Sequence, residues 1–521
     1  MEIQRHASSP WLERAAVAAV VVFGTILPRL ALIGGPPVTD EGIYAFHAQL
    51  IHAGLSSGQG LPNDGPLMLY PLLVSWVFHF SANPFVLLRF FDLLVAAAAS
   101  CAFCIVLQRE SRGKYAGNVI AFVFLSAMNR PEFIQFGFKN PIFCAYLALF
   151  SSFLLVQQQP SRPERWYLAG VLTGLAVLLR ETFLPLAAAA AVAALLVERR
   201  SGLRFLIGAI VIGLSGLGAA CIARGGVGGL ITGYSSLAVT YAALDHSHWH
   251  LFVRSGRLAF FQAIDAIIAG TVGGVLAVRA ATAPEGAALR HRLLFWLAMT
   301  FVPLWEPAAK AGYAYHFAVC LPGLAGLAAF GWRWRGPTPL AKPARRYAFA
   351  AAAGATALVT VLNAVPIARH WPSSMRTLSL AQSGTWPPEV VARSNYLRAG
   401  AAIRAVAGPH DTLSVSGYML ALFPETGLMP PSYRLANLSD AVIAVGLSEP
   451  SLRAQLVSCP PDILMTTTQD LPGSSAITAA VESLGLYRPV AVIAVVPDVP
   501  YGNFGGTIYR RIAARRVGCR I

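Results

Sequence analysis

Long apolar runs alternate with short hydrophilic connections from Ala15 to about Ala368, and beyond that point the pattern changes. Each run approaches the ~20 residues needed to cross a hydrocarbon core. In order they predict spans at 15–36, 84–107, 115–129, 140–156, 166–180, 183–197, 204–222, 258–279, 293–308, 313–332 and 347–369, about eleven crossings. One more apolar stretch, 67–80 (LMLYPLLVSWVFHF), is only fourteen residues long, short for a crossing. Counting it as one would put Arg109, Arg112 and Lys114 outside. It reads instead as a juxtamembrane helix in the outer interface, a depth that suits Tyr70, Trp76 and His79. Past residue 370 the elements shorten and alternate. A helix is expected at 393–407, a strand at 412–416, a helix after Ser448, a strand at 462–467, a helix at 475–484 and a strand at 488–496, together a small α/β domain. The expected fold class is a mainly α-helical polytopic membrane protein. Residues 1–369 form its transmembrane domain, with a first external loop at 37–83, and residues 370–521 form an external α/β domain.

Composition agrees with that pattern. Of 521 residues, 56% are hydrophobic and 12% are charged, about half the ~25% charged residues of a soluble protein. The formal net charge of +16 invites a nucleic-acid reading, but its distribution excludes one. Cations gather in alternate connections: Arg109, Arg112 and Lys114; Arg162 and Arg165; Arg199, Arg200 and Arg204; Arg279, Arg290 and Arg292; Arg333, Arg335, Lys342, Arg345 and Arg346. This is the pattern of positively charged cytoplasmic loops, and no basic motif interleaved with aromatics accompanies it. The start, MEIQRHASSPWLER, is basic, and no A-x-A site precedes Asp40, so the first span is expected to be retained with its N-terminus inside. The chain is expected in the cytoplasmic (inner) membrane, with membrane lipids as partners and the C-terminal domain on the external, periplasmic side. Five of the seven cysteines lie in or at the ends of apolar runs, while Cys459 and Cys519 fall in the external domain, where a disulfide is permitted.

Candidate chemistry concentrates at the outer boundary. The stretch TDEGIYAFHAQ (39–49) places Asp40 and Glu41 just past the first span, with no Lys or Arg between residues 30 and 88. Thr39 capping a short helix, with the acids at its positive end, is one reading. A base, a metal ligand or a cation partner is the other. On a helix Asp40, Tyr44 and His47 share a face. Ionisable groups at span ends are costly and mark function by default. Arg29, Arg180 with Glu181, and Lys310 with His316 all sit at this depth, Tyr313 and Tyr315 add hydroxyls, and Asp64 lies in the first external loop. Snorkelling accounts for any one cation. Several of them opposite Asp40, Glu41 and Asp64 describe an anion site beside a base, and a lipid-linked phosphate is the anion expected at such a depth. In DHSHWH, His246, His248 and His250 are spaced by two. They could hold a divalent metal, and an interfacial loop that binds the acceptor fits the same residues.

Taken in order, DEGIYA, NDGPLMLYPLL, LRFFDLLVAAAA, GVLTGLAVLLRETFLPL and KAGYAYHFAVCLPGLAGLAA resemble the GT-C glycosyltransferases. The resemblance covers about residues 10–370 and is nearest to the protein O-mannosyltransferase and lipid A aminoarabinose-transferase branch. It implies a polyprenyl-phosphate sugar donor and an acceptor on the outer face, be it glycan, glycolipid or protein. It also implies a catalytic carboxylate at Asp40 and donor-phosphate contacts at Arg180 and Lys310. The chain departs from the family at Lys139 and Asn140, where an acidic residue is often found, and at DGPL (Asp64 to Leu67), where one proline is missing.

These observations predict an inverting, lipid-donor glycosyltransferase with Asp40 and Glu41 catalytic. Arg180, Lys310, Tyr313, His316 and Arg29 are expected on the donor phosphate, and Tyr44, His47, Asp64 and Glu181 on the substrates. A transporter or flippase for a lipid-linked sugar is the alternative; it calls for charges near the bilayer midplane and two similar halves.

Overall fold

The computed structural model describes residues 10–54, 69–80, 83–134, 141–157, 162–223, 226–228, 230–231, 248–282, 287–309, 313–333, 342–417, 419–432, 435–443, 448–467, 474–496 and 505–512. The first apolar run forms helix α1, which starts as Pro10–Val21, passes through a π-helical segment at Val22–Ile26 and ends as Leu27–Leu32. A π turn weakens the helical ladder, and a side chain fills the gap. Asn129 Nδ2 donates to the Gly24 carbonyl at 3.1 Å, and Thr25 Oγ1 pairs with Ser100 Oγ at 2.8 Å. Helix α2 (Thr39–His52) follows, then the short α3 (Leu69–Val74) with a 3₁₀ turn at Ser75–His79. These last two segments are too short to cross a bilayer. They bury Tyr70, Val74 and Val77, and leave Leu72, Trp76 and Phe80 exposed.

Helix α4 (Pro84–Ser111) is built to start where it does. Asn83 Oδ1 accepts from the amides of Phe85 (3.0 Å) and Val86 (3.3 Å), and proline occupies the first helical position. It is followed by α5 (Lys114–Met128), α6 (Pro141–Val156), α7 (Pro163–Leu179), α8 (Leu184–Val197) and α9 (Arg199–Ala223). Helices α7 and α9 approach backbone to backbone. A Cβ on Gly170 would lie 1.9 Å from the Phe205 carbonyl oxygen, and one on Gly208 would lie 2.2 Å from that of Tyr167. Small residues serve this purpose where lipid surrounds a helix pair.

The expected span at 258–279 is two elements, α10 (His248–Gln262) and α11 (Ile264–Thr282), broken at Ala263. The break has a physical cause: Arg130 takes the Gln262 carbonyl and also pairs with Asp265 in the first turn of α11, at 3.0 and 2.5 Å. Helix α12 (Ala287–Phe301) stops earlier than expected and is followed by a 3₁₀ turn at Val302–Leu304 and one turn of helix at Trp305–Ala309. A 3₁₀ stretch, Ala314–Cys320, leads into α13 (Leu321–Arg333). Helix α14 (Lys342–Leu380) runs eleven residues past the expected end at 369 despite Pro366 and Pro372 inside it. Its last turns are held on the end of α1: Ser374 Oγ donates to the Ala31 carbonyl at 2.6 Å, and Thr377 Oγ1 donates to that of Gly34 at 3.2 Å.

The C-terminal domain opens with α15 (Asn395–Val406) and contains β1 (Leu413–Val415), α16 (Leu422–Thr426), α17 (Glu449–Ser458), β2 (Ile463–Thr467), α18 (Ser474–Ser483), β3 (Tyr487–Ile493) and β4 (Gly506–Arg511). The sheet order is β1-β2-β4-β3, with β1 parallel to β2 and β4 antiparallel to both its neighbours. Strand β4 was not expected from sequence. Cys459 is disulfide-bonded, the five cysteines of the helical region are free thiols, and Cys519 lies outside the described residues.

Candidate active site

Helix α2 organises the site by presenting three faces. At about 100° per residue, Glu41, Ala45 and Ala48 share the first, and all three are buried. Glu41 is clamped by Arg89 of α4, whose Nε donates to Oε1 at 2.7 Å and whose Nη2 donates to Oε2 at 2.6 Å. The same guanidinium donates from Nη1 to the carbonyl of Ile33 (2.8 Å) and from Nη2 to that of Pro36 (3.1 Å). The adjacent carboxylates Asp40 and Glu41 therefore point to different environments. Glu41 fastens α2 to the bundle, and its charge is relieved by Arg89, the first cation beyond the gap noted in the sequence.

The second face carries Asp40 and Tyr44, with His47 a turn further on. Asp40 is partly exposed and accepts from the Tyr315 hydroxyl at 3.4 Å. Tyr315 lies against His316, ring centroids 4.3 Å apart, and stacks on Tyr313 at 5.5 Å. His316 Nδ1 is 2.8 Å from Glu306 Oε1, and the same carboxylate oxygen pairs with Nη2 of Arg180. Tyr44 is within electrostatic reach of both ends of this chain of contacts. Burial pushes its hydroxyl up, the Arg180 cation pulls against that, and Asp40, Glu181 and Glu306 add to the rise.

Local sequence explains how Arg180 reaches this spot. Helix α7 ends at Leu179, Arg180 is extended (φ −152°, ψ 106°), and a 3₁₀ turn at Glu181–Phe183 reverses the chain into α8, which begins Leu184–Pro185. The guanidinium is 5% exposed. Its Nε has no hydrogen-bond partner among the described residues. Chemically the group is a carboxylate and an incompletely satisfied buried cation, linked by a hydroxyl, an imidazole and a second carboxylate.

The third face of α2, formed by Thr39, Gly42, Phe46 and Gln49, meets the C-terminal domain. The Thr39 and Tyr396 hydroxyls are 3.1 Å apart. Phe46 packs on Phe423 with centroids at 4.5 Å, and Gln49 Nε2 donates to the Leu428 carbonyl at 3.3 Å. A Cβ at Gly42 would lie 2.6 Å from that of Ala421, so glycine is required for this approach. Thr39 does not cap the helix: Val38 is the N-cap residue, and its side chain makes no cap hydrogen bond.

Other expected residues fall elsewhere. Arg29 is buried in the bundle, where Nη1 pairs with Asp92, Nε donates to Asn129 Oδ1 at 2.6 Å and the guanidinium lies 4.1 Å from the centre of the Phe143 ring. Lys310, Asp64 and His246 lie outside the described residues, as does the side chain of His248, while His250 is exposed at the start of α10. Among the described residues no group of three or more His, Cys, Asp or Glu is arranged to hold a metal. Sequence reasoning missed Glu306, Arg89 and Tyr396. The first two carried a signal, since each is an ionisable residue inside an apolar run. Tyr396 carried none, being 357 residues from its partner.

No protein-family profile and no curated protein matches the chain. Solved structures do. ArnT from Cupriavidus metallidurans bound to undecaprenyl phosphate aligns over 96% of this chain and 98% of its own, with a TM-score of 0.57 and 13% identity. The apo form of the same protein gives a TM-score of 0.51 over 96% and 97% of the two chains, at 14% identity. The chain has the GT-C fold. At this identity the likeness carries the architecture, a multi-pass membrane protein with a small C-terminal sheet domain, and no residue-by-residue correspondence.

Proposed function

We propose that the protein is a membrane glycosyltransferase that moves a sugar from a polyprenyl-phosphate-linked donor to an acceptor hydroxyl on a glycan, glycolipid or protein. The observation that carries this reading is the chain of contacts from Asp40 through Tyr315, His316 and Glu306 to Arg180 in a GT-C fold. That fold is similar to one solved with undecaprenyl phosphate bound. Asp40 takes the proton of the acceptor hydroxyl as its oxygen attacks the anomeric carbon. The bond from that carbon to the phosphate oxygen breaks on the opposite face, inverting the centre, and polyprenyl phosphate leaves with the electron pair. Charge grows on the departing phosphate, and a cation already fixed in a water-poor site stabilises it without reorganising. Arg180 supplies that cation through Nε, while Glu306 holds the other end of the guanidinium and the His316 ring. Lys310 is assigned to the same phosphate, and Tyr44, His47 and Glu181 to the sugar and acceptor.

Purified protein in detergent, given a polyprenyl-phosphate sugar and an acceptor hydroxyl, should release polyprenyl phosphate as it glycosylates. Movement of the donor between leaflets of a vesicle without release would overturn this reading in favour of a flippase. The site is assigned to the outer face of the inner membrane. Thiol reagents that cannot cross the membrane should then label Ser383→Cys and spare Arg200→Cys, and the reverse pattern would invert the topology.

A further inference from the structure

The C-terminal domain touches the helix that carries Asp40 along one whole face, and nothing in the proposed chemistry uses it. Its contacts at Thr39, Gly42, Phe46 and Gln49 are spaced by three, four and three residues, a single stripe of α2. Opposite them, Glu41 is fastened to Arg89. Helix α2 is thus gripped from the bundle on one side and from the domain on another, leaving Asp40 and Tyr44 on the face between. The domain's contact nearest to Asp40 along α2 is Tyr396. It is 1% exposed, and it is the second residue of α15, whose start is fixed by Ser394 Oγ accepting from the Leu397 amide at 3.3 Å. Burial pushes the Tyr396 hydroxyl up, the hydrogen bond with Thr39 lowers it, and the charges of Asp40 and Tyr313 raise it further. The hydroxyl therefore stays protonated at working pH and lies within electrostatic reach of the site.

From this juxtaposition we infer that the C-terminal domain is part of the catalytic unit and that Tyr396 is a positioning residue. Through Thr39 it fixes the first turn of α2, and with it the direction in which Asp40 presents its carboxylate. Val38 provides no side-chain cap, so this hydroxyl pair restrains the first turn from the side of the domain, as the Arg89 clamp on Glu41 does from the bundle. The inference rests on the glycosyltransferase reading for what Asp40 does, but the restraint itself is testable without it.

The experiment uses the full-length protein with Tyr396→Phe, which keeps the ring and removes the hydroxyl, and Thr39→Val, which removes the other half of the pair. A misdirected catalytic group costs between roughly tenfold and a hundredfold in rate. Each variant should lower kcat by that factor, with KM for the donor and the thermal midpoint unchanged. The double variant should be no worse than either single one, because the two changes remove the same bond. Amide hydrogen exchange in residues 40–43 should quicken in both variants with no substrate present. If exchange and kcat both stay at wild-type values, the positioning role is overturned while the transferase reading stands. If kcat falls together with the thermal midpoint, Tyr396 only holds the domain together, which also overturns it. If the wild type transfers nothing, the transferase reading fails, and exchange alone then decides whether the domain restrains α2.

Discussion

Arg89 and Arg180 are both buried guanidiniums paired with one glutamate, and the difference between them separates structure from chemistry. Arg89 donates from Nε, Nη1 and Nη2 to Glu41 and to the carbonyls of the chain that precedes α2. Arg180 gives Nη2 to Glu306 and leaves Nε buried with no hydrogen-bond partner among the described residues. A buried polar group without a partner costs free energy, so natural folds contain few of them. A closed set of bonds, as at Arg89, needs nothing further. An open one, in the same group as a partly exposed carboxylate, is an arrangement that a phosphate would complete. Arg29 is held inside the bundle by Asp92, Asn129 and the Phe143 ring, which is why it is left out of the proposed site.

The largest effect is expected at the open end. Asp40→Asn keeps the shape and the place at the helix start and removes only the basicity. General-base catalysis is worth about 10²–10⁴-fold, so turnover should fall by that range while expression, thermal midpoint and donor binding persist. Near wild-type turnover in the folded variant would remove Asp40 from the mechanism. Glu41→Gln, by contrast, should show itself in stability, because its carboxylate answers to Arg89 and not to the substrate.

The closed pair gives the next largest effect, and it should appear in a different measurement. Removing one partner of a buried ion pair leaves the other charge uncompensated, at about 3–5 kcal/mol. Arg89→Ala should therefore lower the thermal midpoint sharply or abolish recovery from the membrane. Replacing both partners together, as Arg89→Met with Glu41→Leu, should restore much of the stability, since apolar pairs of similar volume often replace buried ion pairs without loss. Should Arg89→Ala fold normally and lose only turnover, Arg89 and not Arg180 would be the functional cation.

How much of this was legible in the sequence follows from the range of the forces involved. Span lengths and basic loops are local, and they led to a polytopic helical protein with a separate α/β domain. The place of Asp40, Arg180 and His316 near the ends of helical segments was legible for the same reason: each stands next to the end of an apolar run. What could not be read was set by contacts between distant residues. Glu41 and Asp40 are adjacent, and only Arg89, 48 residues away, assigns them different tasks. The break at Ala263 comes from Arg130, and the extension of α14 to Leu380 comes from hydroxyl contacts with α1. Strand β4 was missed because GTIYRR is short and ends in two arginines. It becomes a strand by pairing with β2 and β3 on both sides.

Arg180 itself should respond more mildly than Asp40 or Arg89. On the proposed reading Arg180→Ala removes a charge-assisted contact to the donor phosphate, worth about 1.5–3 kcal/mol, and binding of a polyprenyl phosphate should weaken by the corresponding factor. It also leaves the buried Glu306 with His316 but without its cation, so the thermal midpoint should drop as well. Arg180→Lys restores the charge but not the geometry that reaches Glu306 and the phosphate at once, and it should recover stability ahead of affinity. Unchanged affinity in the Ala variant would show that the open Nε has no ligand.

The smallest effect sharpens the comparison from outside. Arg376 and Glu389 form a third Arg–Glu pair, at 2.8 Å, with 70% and 39% of their side chains exposed. Water already solvates both groups, so their attraction is largely offset by hydration and by the ordering of two side chains. Arg376→Ala should leave the thermal midpoint and turnover at wild-type values at neutral pH, which would tie the loss in Arg89→Ala to burial and not to pairing as such. Acid should erase what little the pair contributes. The Glu389 carboxyl is held below its usual range first by a hydrogen bond to its own backbone and then by Arg376. A lowered acid contributes stability that is present above the ordinary glutamate range and is lost as pH falls through the lowered value. Unfolding of wild type and Arg376→Ala should therefore differ at most slightly, in favour of wild type, at neutral pH and coincide once that acid range is passed. A difference that is large at neutral pH would mean that this exposed pair behaves like the buried ones, and the division drawn between Arg89 and Arg180 would lose its footing in solvation.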